Sequence, residues 1–339
     1  IGQIERMNVL EGTSRQLPHS ASVDAHFVDM EAVDVLVRAL APSPGKEDLP
    51  CVEREADVED NAIIASGNVT VSMFTTLGAA TAEYVLEFTD ASVLFYGGSE
   101  NWDAVRAILP EGVTLVALPG TEIEQEHLKW EDLVAQGRGG RPRNSCNPDD
   151  LVSLVFTSGT TGVPKGAMQT HASNLVPIQR GMDYLALGER PQYLSYLPLS
   201  HIAERQLVSF SSLVTCGSIN FNESLATLLP DLQATRPAFF FGPPRVWEQL
   251  QQAIIAKFGG QEALDAALAE DAEGIGALII AGLGLDQVQY CLTAAAPTPP
   301  ALIKWFARLG LQLLEGFGQT EAMSLIISTT ADFRIGSVG

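Results

Sequence analysis

Short apolar runs of strand character recur along this chain with helix-like stretches between them. The runs are SVLFY (92–96), TLVAL (114–118), LVSLVF (151–156), YLSYLP (193–198), PAFFF (237–241), QYCLT (289–293) and QLLEGF (312–317). Between them lie AATAEYVLEFTD (79–90), NWDAVRAIL (101–109), a stretch starting near His171, RVWEQLQQAIIAKF (245–258) and PALIKWFARLG (300–310). Strands that alternate with helices at this spacing pair in parallel, because each return trip is made by a helix packed on the sheet. The expectation is an α/β protein with mainly parallel sheets. At 339 residues the chain has room for two sub-domains.

The first 66 residues are weakly patterned; Asp29–Leu40 is read as one short amphipathic helix ended by Pro42 and Pro44. Residues 67–195 form a first α/β sub-domain, and 196–339 a second. An alanine-rich stretch, 263–281, is the nearest thing to low complexity. The apolar run Ile275–Leu285 is too short to span a bilayer. Cys51, Cys146, Cys216 and Cys291 stand far apart with no CxxC spacing, which reads as four free thiols in a reducing cytoplasm. A formal net charge of −21 argues against nucleic acid as a partner.

One segment is built for chemistry rather than packing. LVSLVFTSGTTGVPKG (151–166) runs as a buried strand and then breaks into hydroxyls and glycines. Thr157, Ser158, Thr160 and Thr161 supply donors, Gly159 and Gly162 allow close approach of the backbone, and Lys165 adds a mobile charge. Such a loop suits the phosphates of a nucleotide. It is not a P-loop: Pro164 precedes the lysine where glycine belongs, and Gly166 replaces the metal-binding hydroxyl. Pro164 also turns Val163 away from helix, so no helix starts at the lysine. Arg138, Arg141 and Arg143, in the Gly/Pro loop before this strand, are read as solvated.

FTSGTTGVPKG (156–166) resembles the phosphate-binding signature of the adenylate-forming superfamily. Further matches follow in that family's order. YLPLSHIAER (196–205) is similar to the long-chain acyl-CoA synthetase form of the next motif, and FFFGPPRVWEQL (239–250) to its VPRVWE segment. LTAAAP with LLEGFGQTEA (292–322) resembles the adenine-pocket pair, and IGSVG ends the chain at Gly339. The resemblance covers roughly residues 67–339. It implies the large N-terminal domain of an acyl-CoA synthetase, without the family's small C-terminal lid domain, whose lysine and hinge would lie beyond Gly339. It also implies that a helix and strand usual in the family are missing between DNAIIASGN and VTVSMFTT.

Residue by residue, the resemblance implies that Thr157, Ser158, Gly159, Thr160, Thr161, Gly162 and Lys165 hold the β- and γ-phosphates of ATP. Thr320 would touch the α-phosphate, and Glu321 would bind Mg2+. Phe317, within Gly316–Gly318, would pack on the adenine, with Ala295, Ala296 and Pro297 as the opposite wall. Ala294 stands where the family has glycine. His201 would sit near the reacting carboxylate. Glu204 and Arg205 are read as a structural pair, and Arg245 and Trp247 as the opening of a helix. The implied reaction joins a long-chain fatty acid to AMP, with loss of pyrophosphate, and then passes the acyl group to coenzyme A. Two alternatives stay open: transfer to a carrier-protein thiol, and a non-catalytic ATP-binding remnant. Acyl length, oligomeric state and peripheral association with a membrane are open as well.

Overall fold

The computed structural model describes residues 55–98, 101–136, 146–157, 163–188, 190–222, 224–327 and 333–338. The helix expected at Asp29–Leu40, the three loop arginines, Cys51 and Ser158–Gly162 lie outside them.

The expected alternation is present. Helix α1 (Glu55–Ala65) leads into α2 (Ala79–Thr89), β1 (Val93–Tyr96), α3 (Trp102–Arg106), β2 (Thr114–Ala117), β3 (Leu128–Lys129) and α4 (Trp130–Gln136). Strands β1, β2 and β3 pair in parallel, Val93 against Thr114 and Val116 against Leu128. The next strand, β4 (Leu151–Thr157), makes a parallel bridge through Ser153 to Thr70. Its full partner is β5 (Lys165–Thr170), which returns antiparallel with Phe156 opposite Gly166 and Thr157 opposite Lys165.

Strand β5 is the main departure from expectation, since the sequence reads as loop from Ser158 to the helix at His171. Its inside-out polarity explains the miss. Gln169 is buried (1% exposed) while its neighbour Met168 is 66% exposed, so alternation read by hydropathy assigns the two faces the wrong way round. The pairing has a steric signature too. A Cβ on Gly166 would lie 3.2 Å from the Phe156 ring, so the bare glycine leaves room for the aromatic opposite.

Helix α5 (His171–Leu185) begins where expected, with Thr170 and Ser173 forming a reciprocal capping box. Then come β6 (Gln192–Ser195), α6 (Ile202–Glu204), a π-helical stretch (Arg205–Phe210), α7 (Ser211–Thr215) and β7 (Ser218–Phe221). The remaining elements are α8 (Leu228–Thr235), β8 (Phe239–Phe241), α9 (Pro244–Lys257), α10 (Gln261–Glu270), α11 (Ala272–Gly282), β9 (Tyr290–Thr293), α12 (Pro300–Ala307), β10 (Leu313–Gln319) and β11 (Ser324–Ile327).

Strands β8, β9 and β10 run parallel, β11 closes the edge antiparallel to β10, and β7 pairs in parallel with β6. The Ala238 N–H donates to the Gln192 carbonyl at 3.0 Å, which sets β6 beside β8. The largest core lies under this sheet. Trp247, fully buried on α9, packs edge-on against Phe240 at 5.3 Å and Phe306 at 5.2 Å. Its indole N–H donates to the Leu292 carbonyl at 3.1 Å, so burial leaves no orphan donor. The alanine-rich stretch folds as α10 and α11. Among the described residues no helix is long and apolar enough to cross a membrane. Cys146, Cys216 and Cys291 are free thiols, and burial pushes the Cys291 pKa up.

Candidate active site

In an open α/β sheet, ligands bind beyond the carboxyl ends of the strands, where loops are free to present side chains. Four of the sequence-derived segments leave the parallel strands there. Pro198–His201 follows β6, Ala294–Pro297 follows β9, Gly316–Thr320 closes β10, and Gly242–Pro243 follows β8.

The β9 and β10 segments run side by side. Thr293 pairs with Glu315, and Ala295 and Phe317 each lie two residues further on. Ala295, Ala296 and Pro297 are exposed, as are Phe317 and Gly318, while Gly316 is half-buried. A 46% exposed phenylalanine at the end of a central strand is unused by the core. The positive φ in this corner falls at Ala295 (+71°), while Ala294 is buried. An alanine held in the left-handed region costs about 1–2 kcal/mol, strain that surrounding structure has to maintain.

Thr320 and Glu321 sit on a 3-10 turn, Thr320–Ala322, that follows β10 directly. Two buried amides reach this turn from different elements. Gln169 Nε2 on β5 donates to the Thr320 carbonyl at 3.3 Å, and Gln206 Nε2 in the π-helical stretch donates to the Met323 carbonyl at 2.9 Å. The first bond ties the turn to the strand that begins with Lys165. The second ties it to the helix that begins just after His201. Lys165 is exposed at the mouth of the hairpin, where Thr157 Oγ1 donates to its carbonyl at 3.5 Å. The loop residues Ser158 to Gly162 lie outside the described residues, so of that loop the structure shows its two stems.

His201 caps α6, its Nδ1 accepting from the Ala203 N–H at 3.2 Å. An accepting Nδ1 carries no proton, so the neutral ring bears its hydrogen on Nε2. Burial pushes the His201 pKa below the usual histidine value, which favours that neutral form.

Arg205 corrects one expectation. Its partner is not Glu204, since consecutive helical residues do not face each other. Its Nη2 donates to Asp60 Oδ1 on α1 at 2.5 Å and to Ser72 Oγ at 2.6 Å, and its Nε donates to the Leu199 carbonyl at 3.0 Å. Glu204 Oε2 accepts from the Leu197 N–H at 3.1 Å. Arg205 therefore pins the Pro198–His201 turn to the first described helix. On α9, Arg245 is exposed and Trp247 belongs to the core. Sequence reasoning missed Asp60, Gln169 and Gln206. None of the three carried a local signal, since the strand that turns Gln169 inward is hidden by the polarity of that same glutamine.

The parallel strands and their helices, with an exposed phenylalanine on β10 and a carboxylate on the turn that follows it, define an α/β protein with an open cluster of loops at its strand ends. The AMP-binding enzyme model matches residues 58–339, and the chain belongs to that family of adenylate-forming proteins. Among curated relatives it is 34% identical over 212 residues to the fatty acyl-CoA synthetase A of Dictyostelium discoideum, covering 58% of this chain and 31% of that protein. It is 29% identical over 320 residues to the long-chain-fatty-acid–CoA ligase 1 of Cavia porcellus, covering 83% and 46%. The chain thus spans less than half the length of these relatives. Among solved structures, the anthranilate CoA ligase AuaEII with anthranoyl-AMP matches at a TM-score of 0.67 and 22% identity, over 92% of this chain and 58% of the other. The adenylation domain of a carboxylate reductase from Mycobacterium chelonae matches at 0.65 and 23%, over 86% and 50%. At these identities the likeness shows the fold: the large N-terminal domain of adenylate-forming enzymes.

Proposed function

We propose that the chain is the nucleotide-binding body of a ligase that activates a long-chain fatty acid as its acyl-adenylate and hands the acyl group to coenzyme A. The observation that carries this reading is the pair of amide bonds that tie the Thr320–Glu321 turn to the strand that begins with Lys165 and to the helix that follows His201. The fatty-acid assignment rests on the names of the curated relatives.

In this reading an oxygen of the fatty acid attacks the α-phosphorus of ATP and pyrophosphate leaves. The chain's part is to hold the groups in line and offset charge as it develops. Thr157 to Gly162 and Lys165 bind the β- and γ-phosphates. Thr320 contacts the α-phosphate, and neutral His201 offers an Nε2–H donor to an anionic oxygen. Phe317 stacks on the adenine, against Ala295–Pro297.

Mg2+ fits the residues present. Glu321 is an exposed carboxylate next to a threonine hydroxyl, an all-oxygen set of the kind that holds Mg2+ together with nucleotide phosphates. Among the described residues there is no group of three or more His, Cys, Asp or Glu that could hold a metal ion. Bound at Glu321, Mg2+ would neutralise phosphate charge.

The test is pyrophosphate release by the complete enzyme with a panel of fatty, aromatic and amino acids, followed by acceptor assays. Fatty-acid-dependent release with coenzyme A as acceptor supports the reading. A product formed only with a carrier-protein thiol favours the alternative, and absence of release with any acid removes the enzymatic reading.

A further inference from the structure

The least economical residue in the first half of the molecule is Gln169. It is 1% exposed in a strand whose neighbouring methionine faces solvent, and among the described residues its Oε1 has no hydrogen-bond partner. A buried amide with half its capacity unmet is a poor choice for stability alone, and local rules are broken most often where function demands it. Among the described residues its side-chain hydrogen bond goes to the Thr320 carbonyl, and Gln206, also buried, takes the Met323 carbonyl three residues on. The residues bonded at their backbones bracket Glu321. Met323 has φ +43° and is 1% exposed, so the turn leaves through a left-handed residue anchored in the core.

We propose that Gln169 and Gln206 are positioning residues that together fix the Thr320–Glu321 turn relative to Lys165 and His201, and so couple metal-dependent nucleotide binding to the seating of that turn. This rests on the nucleotide reading above. The two amides come from elements that carry the other binding groups: Gln169 lies four residues after Lys165 on β5, and Gln206 five after His201. Neither amide touches the nucleotide; each acts through a carbonyl of the turn. Losing one leaves the turn held at one end. Losing both frees it from hairpin and helix alike.

The experiment uses Gln169→Met, Gln206→Met and the double variant in the full chain, titrated with ATP by calorimetry with and without Mg2+. Thermal melts run alongside. Methionine keeps the shape, but each variant leaves a turn carbonyl without its donor, so melting temperatures should fall modestly, most for Gln206→Met, whose Met323 partner is buried. Each single variant should weaken Mg-ATP binding by up to roughly fivefold, because losing a tether worth about 1 kcal/mol lowers the fraction of chains in which the turn is seated. Metal-free ATP binding should change less. The double variant should lose more than the product of the two, because either amide alone still holds one end of the turn. Should a methionine variant fail to fold, Gln169→Leu and Gln206→Leu remove the amide donor without burying a charge. Folded variants that bind Mg-ATP like the unaltered chain would overturn the inference and leave the nucleotide reading standing. An unaltered chain with no Mg-ATP binding would overturn both.

Discussion

Asp60 and Arg205 meet at 2.5 Å with side-chain exposures of 4% and 0%. Thr70 Oγ1 donates to the same carboxylate oxygen at 2.6 Å. Removing one member of such a pair strands a buried charge, which costs far more than the pair itself contributes. Asp60→Ala should therefore destabilise the chain by roughly 3–5 kcal/mol, read as a shift in the urea midpoint at unchanged slope. A loss below about 1 kcal/mol would mean that Arg205 finds solvent or another partner. His201 makes a prediction of opposite logic. Its pKa is lowered in the folded state, so below the ordinary value of 6.5 the unfolded chain binds a proton that the native chain refuses. Stability then falls as the pH drops from 6.5 toward the folded pKa, and the cap at Ala203 is lost once Nδ1 is protonated. His201→Asn, which keeps a capping acceptor without a titrating ring, should flatten that part of the stability–pH curve. A curve of unchanged slope would remove His201 as the source.

The elements were legible where hydrophobic period and function agreed. Helix α9 shows its buried stripe, Val246, Trp247, Leu250 and Ile254, at helical spacing behind an N-terminal proline. Strand β8 is three buried phenylalanines. Strand β5 was hidden because its inward residue is a glutamine placed to reach across to another element. The Arg205–Asp60 pairing was hidden for a different reason: 145 residues separate the partners, and no local pattern encodes such a contact. Helix packing yields a test at this scale. A Cβ on Gly276 of α11 would lie 2.6 Å from the Leu309 carbonyl oxygen, backbone that cannot swing aside. Gly276→Ala should destabilise by about 1–3 kcal/mol despite the better helix propensity of alanine. A neutral or stabilising result would show that α11 can slide away from the end of α12.

At the scale of the molecule, the candidate binding groups could be named from the sequence, because the motifs are contiguous strings at strand ends. What the sequence withheld was how those strings are held together, through Gln169, Gln206 and Arg205. The central claim is that the Lys165 hairpin and the Thr320–Glu321 turn face one bound nucleotide. Their roles predict different losses. Lys165→Ala removes a charge-assisted contact and should weaken ATP binding by about 1.5–3 kcal/mol with or without metal, leaving the fold intact. Glu321→Gln should abolish the gain that Mg2+ brings while leaving metal-free binding nearly unchanged. The most direct measurement is a calorimetric titration of the unaltered chain and these two variants with ATP, each with and without Mg2+. The account predicts one saturable site, weakened by Lys165→Ala in both conditions and by Glu321→Gln only when Mg2+ is present. Equal affinities for all three proteins, or no saturable binding at all, would contradict it.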